Sequence, residues 1–339
     1  MSEAAEFDTA GLDVFLRAAI PGLQGPMTLA RISGGQSNPT FFVTYANRRL
    51  VLRKKPAGEV LPSAHAVDRE ARVLQALAPS AVPVPPVVLF HAEPDVVGTP
   101  FYVMERVEGR VFASADLPGA SQAERRAMYL SFAETLAKLH DVDWAAAGLT
   151  GFGRPGSYFE RQVGRWTKQW EAQRFRDIPE LTRLAQWVGG HIPPEDGETA
   201  IVHGDYRPGN VLFAPDGPQV VAVLDWELST IGHPLADLAF SVIPWRSTPE
   251  EYGGMRGMDL PGLGIPSEDE YVAHYYASRR TPAPRLQPFH LAFAMFRFAV
   301  IFEGIAARAR AGTAAAADAA QVGELSVAFA RRGLECIGG

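Results

Sequence analysis

Cysteine is nearly missing from this chain: the only one, Cys336, sits almost at the C-terminal end. It can form no intrachain disulfide and no multi-cysteine metal site, so the expected setting is a reducing cytoplasm. A basic surplus is also missing. Lys and Arg number 32 against 38 Asp and Glu, a net charge of −6, which gives no support to nucleic-acid binding. No apolar run is read as approaching the roughly 20 residues of a membrane helix. The opening MSEAAEFDTAGLDVF has no basic segment followed by an apolar one, so no secretory signal is expected. There is no fixed-period repeat, and the Ala-rich stretch from Ala311 to Ala320 reads as a loop running into a helix. What is present is a soluble-type composition, 47% hydrophobic and 21% charged over 339 residues, enough for one large or two modest domains. Oligomeric state is not written in it.

The chain is organised around Ile201 to Glu227, IVHGDYRPGNVLFAPDGPQVVAVLDWE. Ile201-Val202, Val211-Leu212-Phe213 and Val220 to Leu224 read as strands bracketing two polar interruptions. Three oxygen-bearing residues stand where those strands end: Asp205, Asn210 five positions later, and Asp225 after Val-Ala-Val-Leu. A carboxylate and an amide on one loop, with a second carboxylate on the next strand end, can share Mg²⁺ and orient a nucleophile.

Before this stretch, Leu12 to Ala19 reads as an amphipathic helix stopped by Pro21-Gly22. Short strands follow at Leu29 to Ile32, Thr40 to Tyr45 and Arg49 to Arg53. Between the first two lies Ser33-Gly34-Gly35-Gln36-Ser37-Asn38, whose backbone N–H groups could approach phosphate oxygens closely. The third strand ends in Arg53-Lys54-Lys55, and alternation puts Arg53 and Lys55 on one face and Lys54 on the other. His65 to Leu77 reads as a helix carrying Glu70, able to pair with a cation from that strand. Val87 to Phe90 and Phe101 to Met104 read as two more strands, and Glu105-Arg106-Val107-Glu108-Gly109 as a connection between lobes.

The remainder reads as helical: Gln122 to His140, with His140 as a C-terminal cap; Ser157 to Arg176; a loop from Gly232 into a helix with Asp237 in its first turn; Tyr271 to Arg280; Pro288 to Arg310; and Asp318 to Glu335. Thr248 to Pro266 reads as a long irregular connection of the kind that lids pockets.

This order of parts resembles the aminoglycoside-phosphotransferase-like branch of the protein-kinase fold. The resemblance covers nearly the whole chain and rests on His203-Gly204-Asp205-x4-Asn210 followed by Asp225-Trp226-Glu227, where protein kinases show H-R-D-x-x-x-x-N and D-F-G. More narrowly, SGGQSNPT, VLRKKPAG, SAHAVDRE and GTPFYVMERVEG look like the phosphotransferase relatives that some animals carry fused to an acyl-CoA dehydrogenase domain; no dehydrogenase portion is read within these 339 residues.

The fold so implied is α+β and bilobal: an N-terminal helical segment over 1–25, an N-lobe of antiparallel sheet plus helix over 26–105, and a larger, mainly helical C-lobe over 106–339. The resemblance implies Asp205 as acceptor of the substrate hydroxyl proton, Asn210 and Asp225 as Mg²⁺ ligands, and ATP as phosphoryl donor. It places the phosphate-binding cation, paired with Glu70, at Arg53, with Lys55 as the alternative, and adenine at the backbone of Glu105 and Val107. Ser33, Gly34, Gly35, Ser37 and Asn38 would cover the phosphates.

For the acceptor, helices rich in arginine matter. Tyr271 to Ala311 carries six Arg and one acid, and Arg154 to Arg176 carries five Arg and one Lys against two Glu. Such a field favours an anionic small molecule, a hydroxyacyl-CoA for example, over a polycationic aminoglycoside. An aminoglycoside 3'-type kinase and a non-catalytic nucleotide sensor remain as alternatives. A protein kinase fits less well, because no A-P-E motif follows Asp225.

Overall fold

The computed structural model describes residues 7–32, 38–57, 66–312 and 319–338. Its first layer is a five-stranded antiparallel sheet in the order β1-β2-β3-β5-β4: β1 Thr28–Arg31, β2 Thr40–Thr44, β3 Arg49–Lys54, β4 Val87–His91 and β5 Phe101–Glu105. Period-two alternation explains the two faces. Phe41, Val43, Leu50, Leu52, Phe101 and Val103 point one way, where they pack with Leu12 and Leu16 of α1 (Thr9–Ala19). Asp8 caps α1 by accepting from the Ala10 N–H, and the helix covers the outer face of the sheet. Val51, Tyr102 and Met104 point the other way, toward α2 (Val67–Leu77) and the second half of the chain. The expected start of α2 at His65 lies outside the described residues.

Past Glu105 the chain becomes helical. A Ser121–Glu124 capping box opens α3 (Gln122–His140), and α4 (Tyr158–Gln173) and α5 (Pro179–Gly190) follow. The stretch around Ile201 to Glu227 consists of two small antiparallel pairs, β6 (Ala200–Val202) with β9 (Thr230–Gly232) and β7 (Val211–Phe213) with β8 (Val220–Val223). Then come α6 (Pro234–Ser241), α7 (Ile243–Arg246), α8 (Leu260–Leu263), α9 (Glu268–Ser278), α10 (Pro288–Arg310), α11 (Ala319–Gly323) and α12 (Leu325–Glu335).

Several expectations need correcting. Gly232 is not loop but the end of β9, a strand too short to show a periodicity. α5 was not expected, although Leu181, Leu184, Ala185 and Val188 recur at helical spacing behind a Pro at the first turn. The final helix is two pieces, α11 and α12. α10 is long and apolar enough to cross a membrane by length and composition, contrary to the expectation of no such run; 83% of its most apolar window is buried, and it is the central core helix of the second half.

Candidate active site

A cleft of about 760 Å³ lies between the sheet and the β7–β8 pair. Its walls include Val51, Tyr102 and Met104 above and Leu212, Val223 and Trp226 below. Glu105, Val107 and Gly109 line its back edge. The Glu105 N–H is taken by the Pro86 carbonyl at 2.9 Å, whereas the Val107 N–H has no partner among the described residues. Gly109 is needed for close approach: a Cβ there would stand 2.7 Å from the Phe213 carbonyl.

Arg53 reaches into this cleft from β3. Its Nε lies 2.9 Å from Glu70 Oε2 and its Nη2 donates to Asp225 Oδ1 at 2.7 Å, with Glu227 at 3.7 Å. One planar fork therefore spans α2 and the end of β8, which a single ammonium could not do. Glu70 also accepts from Asn38 Nδ2 at 2.5 Å and from the Tyr102 hydroxyl at 3.0 Å. Burial pushes the Glu70 carboxyl up to about 7 against the pull of Arg53. Burial acts on Arg53 in the opposite sense, and Glu70, Tyr102 and Asp225 together more than offset it, holding the guanidinium above its ordinary value.

Of the two candidate cations, Arg53 is the one that lines the cleft. Lys55 does not line the cleft, and Lys54 is buried on the opposite face with its ammonium 5.0 Å from the Phe7 ring centre. The proposed phosphate-loop residues Ser33, Gly34, Gly35 and Ser37 lie outside the described residues; Asn38 does line the cleft.

Asp205 follows β6 in a loop held almost entirely by backbone contacts. Asp237, in the first turn of α6, accepts from the N–H of His203 at 2.6 Å and of Gly204 at 2.9 Å. His203 Nε2 donates to the Leu224 carbonyl at 2.8 Å, and its Nδ1 accepts from the Asp205 N–H at 3.2 Å, so one buried imidazole ties Asp205 to the residue before Asp225. The Tyr206 ring stacks on Phe132 of α3 at 4.3 Å and its hydroxyl donates to the Phe132 carbonyl. Gly204 has φ +87°, and a Cβ there would meet the Leu228 carbonyl at 2.8 Å. Burial alone would raise the Asp237 carboxyl, but His140, His203 and the Gly204 N–H outweigh it and hold the group below its usual value.

His140 is therefore not the helix cap expected of it. It is fully buried, with Nε2 3.5 Å from Asp237 and Nδ1 2.7 Å from the Tyr275 hydroxyl. His140 and the buried role of Asp237 are what sequence reasoning missed; the only local signal was Asp237 in a helix's first turn, which says nothing of the loop it holds.

Asn210 Nδ2 donates to Asp205 Oδ2 at 2.7 Å and to the Asp205 carbonyl at 2.9 Å, and its Oδ1 has no partner among the described residues. Asp225 engages Arg53 through Oδ1, its Oδ2 has no partner among the described residues, and it stands at φ +62°. The two remaining oxygens are hard donors of the type Mg²⁺ takes, so the residues present fit that ion. Several arginines of the arginine-rich helices, by contrast, are paired with carboxylates. Arg176 binds Glu303 at 2.9 Å and Glu324 at 2.6 Å, Arg174 binds Asp177, and Arg279 binds Asp141 at 2.8 Å.

A small sheet, a back-edge connection and an Asp–Asn–Asp set under an arginine–glutamate pair define a phosphotransferase of the protein-kinase-like fold, of the small-molecule kinase class. The model of the phosphotransferase enzyme family matches residues 28–287, and the chain belongs to that family. It is 42% identical over 309 residues to acyl-CoA dehydrogenase family member 10 of Mus musculus, covering 90% of this chain and 29% of that protein. It is 41% identical over 338 residues to family member 11 of Gallus gallus, covering 97% of this chain and 43% of that protein. The chain thus spans less than half the length of these relatives. A crystal structure of a candidate aminoglycoside phosphotransferase from Ralstonia eutropha is 41% identical, with a TM-score of 0.89 over 98% of both chains.

Proposed function

We propose that the protein transfers the γ-phosphoryl group of ATP, with Mg²⁺, to a hydroxyl of a small anionic metabolite, a hydroxyacyl-CoA being the leading class. One observation carries this reading: Asn210 and Asp225 line the floor of a cleft whose roof holds Arg53, and the Asp205 carboxylate is hydrogen-bonded to Asn210 at 2.7 Å. Proteins of the same fold bind AMP-PNP or GDP. Val107 offers a donor for an adenine edge, and the Glu105 carbonyl an acceptor beside it. Arg53 would bind the phosphates, and Asn210 Oδ1 with the free oxygen of Asp225 would hold the ion, which when bound neutralises phosphate charge. Asp205 would take the proton of the acceptor hydroxyl as its oxygen bonds to the γ-phosphorus and the bond to the β-γ bridging oxygen breaks, releasing ADP.

The test is ATP consumption against aminoglycosides, sugars, amino alcohols and hydroxyacyl-CoAs, with Asp205→Ala beside the wild type. Turnover with an acceptor is expected to fall at least about 100-fold in the variant, the scale of a lost general base. Full turnover by Asp205→Ala would remove the catalytic assignment, and ATP binding without transfer to any acceptor would favour a nucleotide sensor.

A further inference from the structure

Not all of the arginines are neutralised. Arg161 and Arg165 on α4 and Arg297 on α10 have no carboxylate within ion-pair distance among the described residues, and all three act electrostatically on the Tyr158 hydroxyl. That hydroxyl is held near 12 because burial raises it while the three guanidiniums pull it back. Asp237, which acts there in the opposite sense, is already engaged by the His203 and Gly204 N–H groups and by His140.

One of the three, Arg297, stands at the Asp205 loop. Arg297 Nη2 donates to the Gly204 carbonyl at 2.6 Å, one residue before Asp205. Its guanidinium lies between the Trp166 and Phe240 rings, 5.5 and 5.4 Å from their centres, and its Nε is buried without a hydrogen-bond partner. Arg161 is fixed through the carbonyls of Arg154 and Gly156, and Arg165 is exposed one helical turn further on. Tyr158 packs closely against Gly232 of β9, where a Cβ would stand 2.4 Å from its Cε2. Arg161 and Arg165, three and seven positions after Tyr158, share its side of α4, and Arg165 and Arg297 both lie against the Trp166 ring, so an anion there would meet a positive field; the buried Arg297 Nε also costs free energy until it is satisfied.

We infer that Arg161, Arg165 and Arg297, gathered around Tyr158, form an anion subsite that holds a carboxylate or phosphate of the acceptor while its hydroxyl meets Asp205. This rests on the kinase reading of the site and names what that reading leaves open, the charge of the acceptor and the residues that select it. Arg297 would serve twice, steadying the loop through Gly204 and presenting its remaining donors to the ligand.

The experiment compares three acceptors with one hydroxyacyl group: the CoA thioester, the uncharged pantetheine thioester and the free hydroxy acid. Binding is measured by calorimetry on the wild-type protein saturated with Mg·ADP, and transfer is measured separately with Mg·ATP. At least one anionic acceptor should bind about tenfold or more tightly than the pantetheine ester, and which one does so distinguishes phosphate from carboxylate. Arg165→Glu, on an exposed position that leaves the core intact, should weaken that binding about tenfold and raise the acceptor KM more than it lowers kcat. Arg280→Glu, an equal charge change at a position 73% exposed and outside the cluster, is the control. Equal binding of charged and uncharged acceptors, or equal effects of the two variants, would overturn the subsite. Absence of transfer to any acceptor, with charge-selective binding retained, would overturn the kinase reading and leave the subsite standing.

Discussion

Asp237→Asn is the sharpest single perturbation, because Asp237 does not line the cleft and yet holds the loop that carries Asp205. Both of its carboxylate oxygens are occupied by backbone donors, at 2.6 Å from His203 and 2.9 Å from Gly204. Asparagine keeps one acceptor and turns an amide NH₂ toward the other N–H, so one buried donor is stranded and the surviving bond loses its charge assistance. A stranded buried donor costs about 1–3 kcal/mol and the lost charge assistance about 1 kcal/mol more, so the loss of stability should be roughly 2–4 kcal/mol. Misplacing Asp205 by about 1 Å would cost turnover on the order of 100-fold. Urea unfolding followed by tryptophan fluorescence reads the first quantity, since Trp226 is buried beside His203. The pH dependence has a defined sign. The Asp237 carboxyl is depressed in the fold, so its contribution is present above its unfolded value of 3.8 and is lost only as pH falls through the lower folded value. The gap between wild type and variant should therefore be full at pH 7 and close below about pH 4. An unfolding midpoint and a turnover equal to wild type at pH 7 would refute the claim that Asp237 anchors the loop.

Two further outcomes follow from the same geometry. Arg53→Lys retains one of the contacts to Glu70 and Asp225 but not both, and loss of one charge-assisted bond, about 1.5–3 kcal/mol, should weaken binding of a fluorescent ATP analogue roughly 10- to 100-fold; unchanged affinity would show that the fork is not used. His290, buried and beside His233, is held down to about 4, so the folded state resists its protonation and stability should fall as pH drops from 6.5 toward 4, by up to about 3 kcal/mol; His290→Gln should flatten that limb of the unfolding curve.

The catalytic motif was legible because its oxygen-bearing residues interrupt apolar strands at the strand ends, where a hairpin needs only a turn and not a carboxylate, an amide and a second carboxylate together. Asp205, Asn210 and Asp225 are local to 21 residues of chain, and strand alternation already separated Arg53 from Lys54. What was not legible depends on partners far apart in sequence. His140 looks like a helix-end cation until Asp237 is brought against it. Arg176 and Arg279 look like a positive acceptor field until Glu303 and Asp141 neutralise them. A count of charges along a segment cannot distinguish these from Arg297, whose guanidinium meets a carbonyl and two aromatic rings instead. β9 was hidden for a different reason: three residues are too few to carry a period, and only their pairing with β6 makes them a strand.

The two halves of the site are held by different kinds of contact, and this bears on what a ligand can change. The Asp205 loop is fixed through backbone N–H and carbonyl groups by Asp237, His203, Tyr206 and Arg297, all contacts that a nucleotide need not break. Asp225 is held through its side chain by Arg53 and sits in the left-handed region, a conformation that costs an aspartate about 1 kcal/mol or more and persists only where neighbours support it. On the proposed reading, phosphates entering the cleft would compete for Arg53, and a metal ion would compete for Asp225. Arg53 would still be paired with Glu70 if Asp225 left it, whereas Asp225 would lose its cation if phosphate drew Arg53 away. The asymmetry makes a metal ion the replacement that Asp225 would need when nucleotide enters, while the Asp205 loop, held by other contacts, need not move.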